Sequence, residues 1–449
     1  MFCLNALSDS VADEESVDDF LSNVFGSSLF ADLANMEEPV PMSTKRTAVT
    51  MISNYTAFFE RHAEHLPAML NYLFTSLGAG SSALANVAAK AIFSACSSCR
   101  KMLTWELGAF LHQYEVLLTW DGIETSTKEK VVGAISAIVE ALPTHEEKIA
   151  PLAQLIQSVE KEAANSVKAM EASQAEDFQE SGLCALRCLA SMGKVLQAPD
   201  EAVIDLDANG PKSTFWTNGQ GALLQARVIR ILETITGLMK WNSDIIEAGC
   251  QILRAGYKER TPGLFVFSPK VTVDFVLATR LDTARLDQVL DTAGVMLGSR
   301  SSKGEAAMIN AASSILVHLL GILATMNCKG FQVLCVEQEI ADSNGLDDPS
   351  SDPEASAAAI ELVDRMLPHY LSSMMNTHNI QLLFDFLLRS LTVPEVMPKR
   401  SAAHCWVRFP PFCNVAATYC ECRALLCRDM ISPKSCKFSF NLPWDATVH

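Results

Sequence analysis

The residues whose types and spacing suit metal or redox chemistry are few and lie far apart in the chain. Cys96-Ser-Ser-Cys99 is the one CxxC motif, and His62-Ala-Glu64-His65 is the densest group of potential metal ligands. A structural zinc site needs four Cys or His ligands at defined spacings, and neither group has a second motif or the HExxH pattern. Neither group therefore predicts a metal site. We assign the cysteines to a helix core and the histidines to a solvated corner between two helices.

Catalytic and cofactor-binding patterns are also missing from the sequence. Gly78-Ala-Gly80-Ser81 lacks the GxGxxG spacing and follows a predicted helix instead of a strand, so we interpret it as a turn between repeats. The chain has no GxxxxGK[ST] and no GxSxG, and no nucleophile is paired with a base. Cys184 and Cys188 share one helical face and are assigned to the core. The sequence predicts no enzyme, no catalytic residue and no cofactor.

The charge balance indicates the class of partner. The 449 residues include 35 Lys+Arg and 52 Asp+Glu, for a net charge of −17. This balance disfavours direct nucleic-acid binding, which needs clustered Lys and Arg, and it favours a basic protein partner. Six cysteines fall in residues 405–449, and the fourteen in the chain have the pattern of a reduced, intracellular set.

The acidic residues are concentrated in two segments. Residues 1–44 contain nine acids and no Lys or Arg, and residues 330–364 contain nine more and again no base. We predict a flexible acidic segment at 1–44 and a solvated acidic loop at about 337–356. The candidate contacts to a basic partner are four acids of that loop: Asp347, Asp348, Asp352 and Glu354.

One uncharged run, from Ala306 to Cys328, is long enough to raise the question of a membrane span. It contains polar residues, among them Asn310 and His318, which are costly in lipid. We therefore predict a buried helix of a helical stack and no membrane span.

A repeat dominates residues 45–160. Leu70, Leu111 and Leu152 are 41 residues apart, and two further sets in the same register keep that interval: Leu73, Tyr114 and Leu155, and Leu77, Leu118 and Val159. The spacing i, i+3, i+7 within each copy is one face of an α-helix, and each such helix follows another apolar helix. Pro67 and Pro151 are predicted to begin the second helix of their copies. The predicted core includes Ile52, Phe59, Leu70, Leu73, Leu111, Ile135, Leu152 and Ile156.

A period near 41 residues with two helices per unit is typical of HEAT and armadillo repeats. The predicted fold is therefore an all-α superhelix of helix pairs over residues 45–404. Further helices are predicted at Gly182–Leu196, Gly221–Met239, Ser243–Ala255, Val271–Ala278, Asp282–Leu297, Ala306–Thr325, Ala355–Leu371 and Ile380–Leu391. Loops are predicted at 197–217 and 257–269, and no strand is predicted.

The periodicity ends at Ala403, before a stretch with prolines and cysteines. Residues 405–449 are interpreted as an atypical tail, with three alternatives: non-native sequence from a truncated or mis-spliced gene model, a disordered tail, or a metal-binding tail. In the first two cases the last helices of the stack would leave an apolar face open to solvent.

Several segments resemble the central repeats of β-karyopherins, closest to the importin-13/transportin-3 branch in its fungal form. The most specific of them runs from Ile245-Ile-Glu-Ala-Gly-Cys250 to Phe265-Val-Phe267. The other matching segments are Ala91–Leu103, Lys128–Pro143, Lys148–Leu152, Leu183–Asp207, Phe215-Trp216 and Met397–Ala403.

The resemblance implies a HEAT superhelix that binds protein cargo and carries it through nuclear pores under control of the GTPase Ran. It implies Ran-GTP and nuclear pore proteins as partners, and shuttling between nucleus and cytoplasm. Members of that family are about twice as long, and the amino-terminal repeats that supply their main Ran-GTP surface are not evident here. The alternative is therefore a HEAT-repeat scaffold or adaptor without Ran binding. Cargo identity and transport direction stay open.

Overall fold

A computed structural model describes residues 1–35, 40–120, 122–172, 175–197, 215–258, 262–299, 306–327, 349–350 and 352–412. These residues form nineteen α-helices and no β-strand, which confirms the all-α prediction. The helices are α1 Phe2–Val11, α2 Asp18–Phe25, α3 Leu29–Asn35, α4 Met42–Asn54, α5 Thr56–Arg61, α6 Leu66–Leu77, α7 Ser82–Ser98, α8 Leu107–Leu117, α9 Thr125–Glu140, α10 His145–Glu171, α11 Ala175–Val195, α12 Gln220–Leu238, α13 Ser243–Arg254, α14 Pro269–Leu277, α15 Leu286–Gly298, α16 Ala306–Asn327, α17 Pro353–Met375, α18 Ile380–Thr392 and α19 Val396–Phe412.

The helices stack in two rows. Helices α1, α4, α7, α9, α11, α13, α15, α17 and α19 pack against one another in direct succession and form the inner row. Helices α6, α8, α10, α12, α14, α16 and α18 form the outer row, whose members touch each other far less. Helices on the inside of a curve lie closest together, so the stack curves toward the inner row. This arrangement is the solenoid that the repeat predicts.

The pairing of helices differs from the one we expected. The sequence analysis paired each outer helix with the apolar helix before it. In the structure α6 packs most extensively on α7, α10 on α11 and α18 on α19, which are the inner helices that follow. Short connections allow this antiparallel packing. Apolar spacing identifies the helices but does not specify which neighbour each one covers.

The hydrophobic core is divided into two clusters that meet at α13. One extends from Leu21 to Phe267, and the other extends from Ile246 to Phe409. Ile245 and Ile252 face the first cluster, while Ile246 faces the second. Helix α13 therefore joins two separately packed regions of the stack.

Seven of the eight predicted core residues are buried, and Leu111 is only half-buried. Helix α8 is rotated relative to the expected register, because Phe110 packs edge-on against Phe74 with ring centroids 5.3 Å apart. The buried residues of α8 are Leu107, Phe110, Tyr114 and Leu117.

Glycine permits the closest approach in the inner row. A Cβ atom on Gly133 of α9 would lie 2.3 Å from Ser191 Oγ and 2.7 Å from Phe93 Cε2. A Cβ on Gly193 of α11 would lie 2.8 Å from the Cβ of Ala255. Such distances are not tolerated by real Cβ atoms, so neighbouring inner helices are packed at a separation that only glycine allows.

The first residues of the chain differ from the flexible segment that was expected. Residues 2–11, 18–25 and 29–35 are helical, and Leu21, Phe25, Phe30 and Leu33 are buried in the core. The ring of Phe25 lies 4.8 Å from that of Phe59. These helices are too short for their apolar spacing to stand out among so many acids.

The boundaries of α10 and α19 needed correction. Pro67 stands in the first turn of α6 as predicted, but Pro151 lies inside α10. Helix α10 begins earlier because Thr144 Oγ1 accepts a hydrogen bond from the amide of Glu147 at 3.2 Å and caps it. Helix α19 continues past Ala403 to residue 412, with Cys405 and Phe409 buried, so residues 405–412 belong to the stack.

The other predicted helices between residues 182 and 391 are present, and α15 begins at Leu286, later than expected. Most of the predicted loop at 197–217, most of the acidic loop at 337–356 and residues 413–449 of the tail lie outside the described residues.

Helix α16 is long and apolar enough, by length and composition alone, to cross a membrane over Ala306–Leu323. Half of that window is buried inside the protein, where the helix packs on α14, α17 and α18. Its packing is that of a core helix of the stack.

Candidate binding surface

The motifs that the sequence singled out for chemistry have structural roles. Cys96 and Cys99 are buried in and after α7, and burial raises the pKa of the Cys99 thiol to about 12. Cys184 and Cys188 are buried on one face of α11, as predicted. Over the described ranges no group of three or more His, Cys, Asp or Glu side chains is placed to hold a metal ion.

The His62 corner is an ion-pair cluster that fastens the first helices to the stack. His62 Nε2 lies 3.0 Å from Asp18 Oδ2, and His62 Nδ1 lies 3.2 Å from Glu64 Oε1. Arg61 Nη2 donates to Asp18 Oδ1 at 2.7 Å and Nε donates to Oδ2 at 2.9 Å. These hydrogen bonds from Arg61 lower the pKa of Asp18 to about 2, and Asp18 raises the pKa of His62. His65 stacks on Phe58, with ring centroids 5.6 Å apart.

Acids gather near the amino-terminal turns of two inner helices, three of them exposed and Glu247 partly exposed. Helix α13 presents Asp244 and Glu247, and α17 presents Asp352 and Glu354. We call these four residues the acidic rim. Successive inner helices run in the same direction, so their first turns lie along one edge of the stack, where the helix dipole favours negative charge. The rim is therefore a line of carboxylates at one edge of the concave side.

Arg285 lies between the two halves of the acidic rim, immediately before α15. Its guanidinium donates to both oxygens of Asp287 at 3.0 Å, and its Nη1 lies 3.4 Å from Glu247 Oε2. Burial of Asp287 opposes ionisation, but the hydrogen bonds from Arg285 and Gln288 hold the pKa of its carboxyl below the usual value. Arg285 adopts a left-handed backbone conformation with φ of 52°. Such a conformation in a residue with a side chain is strained and needs surrounding contacts to hold it.

Ion pairs continue along the inner row beyond Arg285. Asp291 of α15 accepts from two sides: Arg254 Nη2 of α13 lies 3.1 Å from Oδ2, and Arg365 Nη1 of α17 lies 2.9 Å from Oδ1. Arg254 also donates to Thr292 Oγ1 at 2.8 Å. One carboxylate thus connects three successive inner helices.

A polar cavity lies between α17 and α19. Its volume is about 510 Å³, and it is lined by Glu361, Asp364, Arg365, Met397, Arg400, Ser401 and His404. Asp364 Oδ2 pairs with Arg408 and lies 3.6 Å from His404 Nδ1, and Ser401 Oγ donates to Glu361 at 3.2 Å. The same type of link between neighbouring helices therefore extends to the end of the described row.

The structure describes two of the four candidate contacts. Asp352 and Glu354 are exposed members of the acidic rim, and Asp352 also caps α17 by accepting from the amide of Ala355 at 2.9 Å. Asp347 and Asp348 lie outside the described residues. The candidate contacts therefore extend to Asp244 and Glu247, which the sequence analysis missed.

A signal for the missed residues was present in the repeat. Glu247 and Arg285 are separated by 38 residues, Glu361 and Ser401 by 40, and Asp364 and Arg408 by 44. Polar or oppositely charged residues one repeat apart can therefore meet across neighbouring inner helices. A search for complementary polar pairs 38 to 44 residues apart, and not only for leucines, would have found the link of Glu247, whereas it gives no signal for Asp244.

The outer row carries a different kind of recess. A cavity of about 210 Å³ opens between α12 and α14, with walls that include Leu232, Ile246, Val271 and Phe275. Large apolar side chains are also exposed on the outer row: Leu223 on α12, Leu277 on α14 and Val317 on α16. The outer row thus carries exposed apolar side chains together with ion pairs such as that of Arg227 with Glu160.

Comparisons with known proteins point to the same family. The model of the transportin-3/importin-13 third TPR domain matches residues 27–112. Importin beta-like protein kap111 of Schizosaccharomyces pombe is 22% identical over 265 residues, which are 59% of this chain and 26% of that protein. The chain is similar to importin-13/transportin-3-like karyopherin-β proteins. The predicted family resemblance is therefore confirmed.

A solved structure of importin-13 in its cytosolic state shares the fold of this karyopherin-β-like chain. The TM-score is 0.65 at 14% sequence identity, over 90% of this chain and 41% of that chain. TPR and HEAT repeats are both stacked helix pairs, so the matched family and the observed architecture agree. The importin-like chain corresponds to less than half the length of these relatives.

Proposed function

We propose that this chain is part of a nuclear import receptor of the karyopherin-β type, which binds basic protein cargo on its inner face. The similarity to importin-13, transportin-3 and kap111 supports a transport role. The single observation that carries the basic-cargo assignment is the acidic rim on the inner row. The proposed activity is binding by surface complementarity, without chemical conversion of the cargo.

The rim suits a basic segment for electrostatic reasons. Asp244, Asp352 and Glu354 are exposed, and Glu247 is partly exposed. Two guanidinium groups lie close to the rim: Arg187 Nη2 is 3.8 Å from Asp244 Oδ2, and Arg285 Nη1 is 3.4 Å from Glu247 Oε2. A basic segment would therefore compete with these two arginines for the carboxylates. Exposed charges act mainly on the rate of association and are screened over about 8 Å at physiological ionic strength. Asp347 and Asp348, which lie close to the rim in sequence, belong to the same proposed contact.

The test measures association rates of a labelled Lys/Arg-rich peptide over a range of salt concentrations. The variant carries Asp244→Asn, Glu247→Gln, Asp352→Asn and Glu354→Gln, which preserve size, and asparagine keeps the helix cap at residue 352. Slower association with a flatter salt dependence supports the proposal. The control neutralises four exposed acids elsewhere in the chain, Glu106, Glu146, Glu147 and Glu171, and should change the rate less. Equal effects of the two variants would show that only net charge matters.

Ran control and nuclear shuttling are proposed for the receptor as a whole. A Ran-regulated receptor releases or binds cargo on addition of GTP-loaded Ran, whereas a scaffold without Ran binding does not. Adding Ran-GTP and Ran-GDP separately to the peptide complex distinguishes the two. A response to Ran-GTP alone supports a Ran site within this chain. No response to either would place the chain with the scaffold alternative.

Nuclear pore proteins are the proposed partners of the outer face. The recess between α12 and α14 has apolar walls and a volume that accommodates an aromatic or aliphatic side chain. Thr236→Trp, on the wall of this recess, should fill it and weaken binding of a phenylalanine-rich pore-protein peptide. Basic-peptide binding at the acidic rim should stay unchanged. Undiminished binding of the phenylalanine-rich peptide would remove the recess from the proposal.

A further inference from the structure

Two aromatic side chains fix the turn before α12 to the first residue of α10, which is His145. The Phe215 ring stacks on the His145 ring, with ring centroids 5.4 Å apart and an angle of 20° between the planes. The Trp216 ring meets His145 edge-on at 5.7 Å, and its indole Nε1–H donates to His145 Nδ1 at 3.3 Å. Trp216 is buried, whereas His145 is half-buried and can exchange protons with water. The contact of this turn with α10 therefore centres on one titratable side chain.

The hydrogen bond fixes the protonation state of His145. An indole N–H donates and never accepts, so Nδ1 must carry a lone pair and the proton of the neutral ring must be on Nε2. A proton on Nδ1 would place two N–H groups against each other. The bond between His145 and Trp216 therefore exists only while the imidazole is neutral.

Trp216 also determines how the start of α12 is packed. A Cβ atom on Gly221 would lie 2.5 Å from the Phe215 carbonyl oxygen and 3.0 Å from Trp216 Cα, so the first turn of α12 packs directly on this backbone. Trp216 and His145 line the same cavity of about 90 Å³, which lies between the ends of α9 and α11 and the start of α10. A displaced Trp216 would therefore loosen the first turn of α12 and open the cavity.

The charged groups around this imidazole do not hold a second proton on the ring. Glu140 of α9 lines the same cavity but is already paired with Lys148, whose Nζ lies 3.1 Å from Glu140 Oε2. The ammonium group of Lys148 and the positive end of the α10 dipole both oppose an imidazolium. Glu146 and Glu147 of the same turn are exposed, so salt screens their attraction. The described residues of α11, of the turn after α13 and of 262–266 that line the cavity carry no titratable side chain.

We propose that His145 and Trp216 form an acid-sensitive latch between α10 and the beginning of α12. Histidine side chains take up a proton at about pH 6.5, and protonation removes the acceptor of the Trp216 indole. The latch is therefore closed at neutral pH and opens as the pH falls through the range in which histidine titrates. Opening leaves a buried N–H without its acceptor, which favours movement of Trp216 toward water.

The test is hydrogen exchange of the full chain at about pH 7.5 and about pH 5.5, on either side of the histidine range, with rates corrected for the pH dependence of the exchange chemistry. The corrected exchange of residues 216–224 should be about fivefold faster at the lower pH, which is the effect of one lost hydrogen bond. His145→Asn places an amide oxygen near the position of Nδ1 and does not titrate, so exchange should stay slow at both pH values. Trp216→Phe removes the donor and should give fast exchange at both.

A matched control and a second measurement separate the latch from other effects of acid. His112→Asn removes an exposed histidine of α8 and should leave the pH dependence of residues 216–224 unchanged. In NMR spectra of labelled tryptophan, the indole signal that Trp216→Phe removes should shift between the two pH values in the parent chain and not in His145→Asn.

Two results would overturn the proposal. Equally slow exchange of residues 216–224 at the lower pH would show that stacking on Phe215 holds the protonated ring in place, as a cation can be held over an aromatic face. Faster exchange at the lower pH that persists in His145→Asn would show that another group titrates.

Discussion

The inner row is held together differently on the two sides of α13. From α7 to α11, inner helices meet through small and apolar residues, and Gly133 marks a contact that no Cβ would fit. From α13 to α19, inner helices also meet through Arg254, Asp291 and Arg365. Apolar close packing is insensitive to salt, whereas partly exposed ion pairs weaken as salt rises. The stack therefore combines a tightly packed first region with a second region whose helix contacts respond to charge.

The division follows the two core clusters that meet at α13. The acidic rim begins at α13 and lies in the second region, next to the charged links between helices. A basic partner that binds the rim would compete for the same carboxylates that Arg285 contacts. The region that carries the proposed binding surface is thus also the one whose helix contacts a charged partner would change.

The largest expected effect is a core deletion in the first region. Ile135→Ala in α9 removes a fully buried side chain and should lower the free energy of unfolding by about 2–5 kcal/mol. Leu111→Ala, at a half-buried position, should cost clearly less. Urea denaturation followed by circular dichroism measures both. Equal losses would show that the two sites are equally packed and that the register of α8 is misassigned.

Next in size is overpacking at the glycine contact. Gly133→Ala forces Ser191 and Phe93 to move and should destabilise the first region by about 1–3 kcal/mol. The control is Gly237→Ala in α12, where nothing lies within 4 Å of the added Cβ and alanine favours helix. A neutral Gly133→Ala would contradict the close approach of the inner helices.

The ion pairs should give a smaller, salt-dependent effect. Asp291→Asn removes the carboxylate that connects α13, α15 and α17. Its side chain is 31% exposed, so the loss should be about 1 kcal/mol or less. Hydrogen exchange should accelerate in α13 to α17 at low salt, and the difference from the parent chain should shrink at high salt. A loss independent of salt would indicate packing instead of charge.

The smallest expected effects are local and depend on pH. Arg61 and His62 hold the pKa of Asp18 near 2, below its usual value of 3.8. Ionised Asp18 therefore stabilises the fold above pH 3.8, and this stabilisation is lost as the pH falls toward 2. The pKa of His62 is raised from 6.5, so its contribution is present below 6.5 and is lost as pH rises through the higher folded value. Hydrogen exchange in α1 to α3 should accelerate in both windows. Asp18→Asn should abolish both changes.

Much of this fold could be predicted from the sequence, because burial in a solenoid repeats at a fixed interval. The leucine triplets identified α6, α8 and α10 and the all-α architecture. Helices α1 to α3 could not be predicted, since each buries only a few residues amid acids. The register of α8 depends on Phe74, a contact across repeats that local periodicity does not contain.

The candidate surface was predicted only in part. Local charge density found Asp352 and Glu354, which stand in an acidic run. Asp244 and Glu247 lie on an ordinary amphipathic helix, and they join the rim only because stacking brings the first turns of α13 and α17 to one edge. The role of Arg285 could not be predicted from the sequence, because its left-handed backbone conformation depends on its contacts and not on its residue type.

Hydrogen exchange of the full chain with and without a Lys/Arg-rich peptide tests the account most directly. We expect slower exchange at the first turns of α13 and α17, around Asp244, Glu247 and Glu354, and little change in α4 to α9. Protection confined to α4 to α9, or spread evenly along the chain, would contradict the assignment of basic-partner binding to the acidic rim.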